Sequence, residues 1–308
     1  MRHNRLVLIG SWLLLLSLTP QALALNVVTS IRPIHSLVAA VMAGGARPYL
    51  IIRSGASPHD YSLRPSDAGA LETAQLIFWV GAALENFLSG PLRALAPQAR
   101  SVELLESPGV RQLQSRDLLH QGKHASPPQP PDGHGPADLD PHVWLNPDNA
   151  QAMVIAIRQA LTKADPGNSA RYRRNARQMD LRLTRLANRI DTLLAPVRDQ
   201  PYVVYHDAYQ YFDQRFGLKP AAAVTLHPEL PAGVGRIRRI QELIRGRQIH
   251  CVFSEPQFQP RALRILLQIP GVHSAVLDPL GADLAPGPDL YAQLLLADAR
   301  AIKTCLSK

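Results

Sequence analysis

Residues 169–194 read SARYRRNARQMDLRLTRLANRIDTLL. Apolar side chains fall at Tyr172, Ala176, Met179, Leu183, Leu186, Ile190 and Leu193, in alternating steps of four and three without a break. Only an α-helix puts such a set on one side while leaving the intervening arginines to water. At 1.5 Å per residue the segment spans roughly 39 Å, the size of a whole small domain. A single helix of that length is a stiff connection between the parts it joins, not a flexible hinge.

On either side of it, short apolar runs alternate with longer helical stretches. Strands are expected at Asn26 to Thr29, Tyr49 to Ile52, Leu76 to Val80 and Val102 to Leu105, with helices at Ile34 to Met42, Ser66 to Thr73 and Ala83 to Leu95. After residue 200 the alternation returns, with strands at Tyr202 to Tyr205, Ala222 to Thr225, Ile249 to Ser254 and Ser274 to Leu277 and helices near 208–216, 231–246 and 260–268. Strand–helix alternation implies a parallel sheet covered on both faces. The expected fold class is therefore α/β: two parallel-sheet α/β lobes joined by one long helix. The first lobe covers 25–165, the linking segment 166–198 and the second lobe 199–308.

The first residues, Met1 to Arg5, are polar and basic, Leu6 to Leu18 is almost wholly apolar, and Pro20 and Ala22-Leu23-Ala24 follow. That is the layout of a cleaved secretory signal peptide over 1–24. The apolar run is shorter than the about 20 residues a transmembrane helix needs, and no cysteine near the junction could carry a lipid. A soluble protein outside the cytoplasm is expected. The formal net charge of +9 is spread along helical faces, with no basic run interleaved with aromatics, so nucleic acid is not an expected partner. Cys251 and Cys305 are the two cysteines. An oxidising compartment favours pairing them; the alternative is two unpaired core residues.

Residues 120–140, HQGKHASPPQPPDGHGPADLD, are dominated by proline, glycine and polar side chains. Such a stretch forms no packed element, and a mobile surface loop is expected. Three histidines stand out elsewhere. His59 follows an expected strand, His142 lies in Asp140-Pro-His-Val-Trp, and His206 ends the apolar run Tyr-Val-Val-Tyr. Ligands of parallel α/β sheets bind at the carboxyl ends of strands, where His59 and His206 are expected. The three are far apart in the chain and match no local zinc motif, so their spacing alone proves no site.

The flanking residues carry more. The segments GASPHDYSLRPSD (55–67), DPHVWLNP (140–147), YHDAYQYF (205–212), FSEPQF (253–258) and LDPLG (277–281) occur in this order. In this the chain resembles the zinc-binding, ZnuA-type members of the metal-specific periplasmic binding proteins that serve ABC importers. The resemblance covers most of the mature chain, including the long helix, the C-terminal cysteine pair and the polar loop.

It implies that His59, His142 and His206 bind Zn2+ as the transported ligand. Asp278 matches the position where manganese-binding relatives supply a carboxylate, so the fourth position is Asp278 or water. Some zinc members have a Glu directly before the first histidine, whereas this chain has Pro58, which cannot coordinate through its side chain. His206 stands where manganese-binding relatives place a Glu. His120, His124 and His134, with Asp132 and Asp138, are a sparse version of the family's His-rich loop: an accessory metal collector or an ordinary loop. The resemblance further implies a periplasmic monomer that delivers zinc to a membrane permease with its cytoplasmic ATPase.

Three neutral imidazoles suit Zn2+, whereas manganese prefers more carboxylate oxygen. Manganese or iron transport is the alternative within this class. A zinc hydrolase is the rival from another class, since three protein ligands and an open position also describe catalytic zinc. It would need a general base beside the metal-bound water and room for a substrate, neither of which the sequence marks. A metal-dependent adhesin would use the same site, but a protein without an anchor is poorly placed for it.

Overall fold

The computed structural model describes residues 25–53, 55–119, 139–258 and 261–308. The signal-peptide assignment and the loop histidines His120, His124 and His134 lie outside the described residues.

Among the described residues there are two four-stranded parallel sheets with the same plan. The first contains β1 (Val27–Thr29), β2 (Tyr49–Leu50), β3 (Leu76–Trp79) and β4 (Arg100–Glu103), in the order β2-β1-β3-β4. Its helices are α1 (Arg32–Met42), α2 (Pro65–Glu72) and α3 (Asn86–Leu95). After α4 (Pro147–Ala164) and α5 (Ser169–Leu194) comes the second sheet, of β5 (Pro201–His206), β6 (Lys219–Thr225), β7 (Cys251–Ser254) and β8 (His273–Val276), in the order β6-β5-β7-β8. Its helices are α6 (Gln210–Phe216), α7 (Val234–Gly246), α8 (Arg261–Leu266) and α9 (Leu290–Leu306). The α/β class and the long helix match the expectation.

Three local differences have physical causes. β4 lies two residues before the expected run, because Leu104 and Leu105 are buried beyond the strand end while still bonding to the carbonyls of Trp79 and Val80. Burial there marks the turn out of the strand. α3 begins at Asn86, not near Ala83, because the Glu85 carboxylate accepts from the amides of Val80 and Gly81 and fastens a turn. Residues 147–164, to which the sequence pattern assigned no element, form α4. It starts on Pro147 with the Asn146 side chain accepting from the Asp148 amide at 2.8 Å, a strong N-terminal cap. It packs against α1, α5 and β3 together, so its apolar residues are not confined to one stripe.

The long helix is more than a rod between lobes. Tyr172, Ala176, Met179, Leu183, Leu186 and Ile190 are buried as the pattern implies, and Leu194, not Leu193, completes the stripe. That face packs on α1, α4 and α9, elements that belong to both sheets. The result is one continuous core running from Val27 and Phe78 through Trp144 and Leu186 to Phe253, Leu295 and Ile302. A second core covers the other face of the second sheet, and β5 shows the division: Tyr202 and Val204 face the shared core, Val203 and Tyr205 the second one.

Polar bonds cross the junction as well. The Arg32 guanidinium donates to the carbonyls of Gly281, Ala282 and Leu284 at 2.6, 2.8 and 2.7 Å. Trp144 Nε1 donates to the Pro279 carbonyl at 2.8 Å, and Tyr291 OH to the Trp144 carbonyl at 2.6 Å. Arg116 bridges Asp207 and Asp213, and Arg236 grips Asp117 with both of its terminal nitrogens. These bonds moor the strap 111–119 to the second lobe. On its other side the strap pairs Gln114 with Leu139, and the Leu113 carbonyl accepts from the Asp140 amide at 2.9 Å.

Cys251 and Cys305 form a disulfide with Cα atoms 5.9 Å apart, tying β7 to the end of α9. By loop entropy a closure over a sequence separation of 54 is worth about 4 kcal/mol. Replacing both cysteines by serine should lower the urea-unfolding free energy by about 2–4 kcal/mol while leaving the far-ultraviolet spectrum unchanged.

Candidate metal centre

Each of the three histidines is positioned by a different piece of backbone. His206 is the last residue of β5, whose neighbours β6 and β7 are reached in opposite directions, so the crevice at its carboxyl end is a topological switch point. His142 enters a tight 3-10 turn, Val143–Leu145, whose Trp144 is fully buried in the shared core. His59 sits on the turn Pro58–Asp60, where Pro58 starts the turn and Ser57 Oγ accepts from the His59 amide at 3.2 Å.

The fold brings the three together. One ring nitrogen from each of His59, His142 and His206 lies within 4.8 Å of the other two. The Nε2 atoms of His142 and His206 are 3.3 Å apart. Two nitrogens bound at about 2.05 Å to one tetrahedral zinc stand roughly 3.4 Å apart, so this edge already has the right length. His59 completes the triangle less tightly, its ring centroid 5.4 Å from that of His142 and 5.9 Å from that of His206. Trp144, Phe258, Pro279 and Leu280 wall the pocket, and its free space is about 10 Å³, room for one water or one ion.

Two carboxylates aim the imidazoles. Asp140 Oδ1 is 2.8 Å from His142 Nδ1 and also accepts from the His142 amide at 3.0 Å. Glu255 Oε1 is 2.6 Å from His206 Nδ1. Each pair commits Nδ1–H to an oxygen and turns the Nε2 lone pair toward the partner histidine. Both residues lie in the sequence segments DPH and FSEP, which by themselves assign them no role. The signal was a carboxylate beside a candidate ligand in one case and at the end of the neighbouring strand in the other. Asp278 is not brought into the group. Its oxygens accept from Gln257 Nε2, Leu280 N and Ala282 N at 2.9, 3.1 and 2.5 Å, so the LDPLG segment uses it to shape its own turn.

The protonation pattern follows. Burial, reinforced by His142, His206 and His227, pushes His59 down from 6.5 to about 2. Burial and the charge of His206 likewise push His142 well below the usual histidine range. For His206, burial acts downward, but the charge and hydrogen bond of Glu255 outweigh it and raise the imidazole above 6.5. Two lone pairs 3.3 Å apart repel unless a positive charge sits between them. The raised affinity of His206 for a proton and the place a cation would take coincide at this edge. Burial lifts the Asp140 carboxyl to about 7, against the His142 amide and Arg116.

The pattern has relatives. The family model described as "Zinc-uptake complex component A periplasmic" (ZnuA) matches residues 27–305. The chain belongs to the ZnuA family. The high-affinity zinc uptake system protein ZnuA of Brucella suis is 40% identical over 309 aligned residues, covering 92% of each chain. A crystal structure of ZnuA superposes with a TM-score of 0.78 at 21% identity, covering 92% of this chain and 99% of the other. FpvC from Pseudomonas aeruginosa, a solute-binding protein solved with Mn2+, superposes at 0.77 with 20% identity over 92% of this chain and 98% of the other. At these identities the two structures establish the shared fold of this ZnuA-family chain.

Because Glu255 raises His206, protons compete for Nε2 up to and above the usual histidine range. Glu255→Gln removes that support, so the acid limb of divalent-metal binding should move to lower pH. Well above the histidine range the same change should weaken binding by about 10–100-fold, because Nδ1 loses its anchor. Chelator competition across pH measures both.

Proposed function

We propose that this chain captures Zn2+ outside the cytoplasm, after removal of residues 1–24, and delivers it to the membrane permease of an ABC importer driven by a cytoplasmic ATPase. His59 and His142 from the first lobe (25–165) and His206 from the second (199–308) hold the ion across the crevice, with 166–198 as the connecting segment. Water fills the fourth position, since Asp278 is spent on its own turn. The name of the Brucella suis relative, a zinc uptake protein, points the same way.

The observation that carries this reading is the His142–His206 edge at 3.3 Å, with each outer nitrogen on a carboxylate and His59 within closing distance. An all-nitrogen donor set favours zinc over manganese, which seeks oxygen. Capture suits the pocket better than hydrolysis. Its free space of about 10 Å³ admits no organic substrate, and Asp140 and Glu255 lie against the Nδ1 atoms, on the side of each ring away from Nε2 where bound water would sit. The chain functions as a monomer in this scheme, since both halves of the site come from one chain.

Alanine at 59, 142 or 206 should each weaken zinc binding by more than the about 10–100-fold typical of outer-shell changes, read by equilibrium competition with a chromogenic chelator. Zinc uptake that survives all three changes would rule the reading out. The shared core limits relative motion of the lobes, so small-angle scattering profiles of loaded and metal-free protein should nearly superimpose.

A further inference from the structure

Beside the histidine pocket, on the second lobe, lies a larger groove of about 650 Å³. The segment 226–233 and α7 form one wall and α8 the other. Its apolar lining includes Leu230, Val234 and Ile265, which are 59%, 72% and 42% exposed. Large apolar side chains gathered in one open groove mark a binding surface more often than a solvated face.

The charges of the lining narrow the occupant. Arg238 and Arg261 line the groove, and neither carries an ion pair among the described residues. The lining carboxylate, Glu229, is engaged elsewhere, accepting from Ser57 Oγ at 2.8 Å. The groove therefore presents apolar surface beside a net positive lining, two arginines against one carboxylate. Its complement is an apolar segment bearing carboxylates.

The position of the groove narrows it further. Gln257 and Phe258 line both the groove and the histidine pocket. The Glu229–Ser57 bond reaches from segment 226–233 to the first lobe, and Ser57 Oγ also accepts from the His59 amide. Segment 226–233 is in turn held by Tyr205 OH on the Pro228 carbonyl at 2.8 Å and by Thr225 Oγ1 on the His227 carbonyl at 2.7 Å. Segment 226–233 thus links the groove, through Glu229 and Ser57, to the backbone of His59. That histidine is also the one of the three without a carboxylate behind it among the described residues.

We infer that the groove docks an apolar, carboxylate-bearing segment of the importer's membrane permease. Seating that segment draws Glu229 away from Ser57, so that His59 is the first ligand to let go. This rests on the zinc-delivery reading: the partner that takes the ion is the one that gains from a lever on its weakest ligand. A second copy of this chain is the competing occupant.

The test uses purified protein and the permease–ATPase complex in nanodiscs. Val234→Asp and Ile265→Asp, both at exposed positions, should weaken docking by at least about tenfold, as the loss of a central apolar contact does. Arg238→Glu should do the same through charge, while zinc affinity measured on the free chains stays at the parent value. Melting temperatures equal to the parent's verify that the variants are folded. Docking and zinc delivery at parental levels in all three variants would overturn the proposal. So would sedimentation data in which the parent self-associates through the groove and the variants do not. A parent that docks but holds no zinc would overturn the delivery reading instead, and with it the release step.

Discussion

The lobes of this protein are not separate bodies. Trp144, in the middle of the turn entered from His142, is buried in a core that begins in the first sheet and ends on α9 of the second. Its indole donates to Pro279 and its carbonyl accepts from Tyr291, so the residue two places from His142 is bonded twice to the other lobe. Parting the lobes widely would expose that core and orphan those groups, a cost that few ligand-binding energies could offset. At the rim, the turn bearing His59 and the segment 226–233 are held chiefly by a few polar bonds.

Against that rigid frame the histidine cluster is a preorganised hole for positive charge. Two imidazoles are aimed by carboxylates so that their lone pairs confront one another. The arrangement is unfavourable when empty of charge, favourable with a proton and more so with a divalent ion. The carboxylates do two things at once. They fix ring orientation, and they place negative charge just outside the coordination shell, where it helps a cation without occupying one of its ligand positions.

Much of this was legible in the sequence, and the limits are instructive. The long helix was readable to its ends because one-sided burial leaves a clean period. α4 was not, because contact with α1, α5 and β3 at once erases that period, and its clearest mark was the local Asn146-Pro147 start. His206 could be picked out by its strand end, His59 by the strand before it, and all three histidines by resemblance. The outer carboxylates could not be assigned, since Glu255 and His206 are partners only through the pairing of β5 with β7. Asp278 shows the converse: a residue in the expected place whose oxygens are taken by neighbouring amides, which no pattern of letters reveals.

The strap 111–119 has a consequence for how such a protein can diversify. Gln114 pairs with Leu139 and Leu113 with Asp140, so the two sides of the intervening stretch are stitched together at its base. Joining fixed ends costs only about 0.6 kcal/mol more for each doubling of the length between them. Chain length can therefore change between the stitched ends at small entropic cost, provided Arg116 and Asp117 keep their ion pairs to the second lobe.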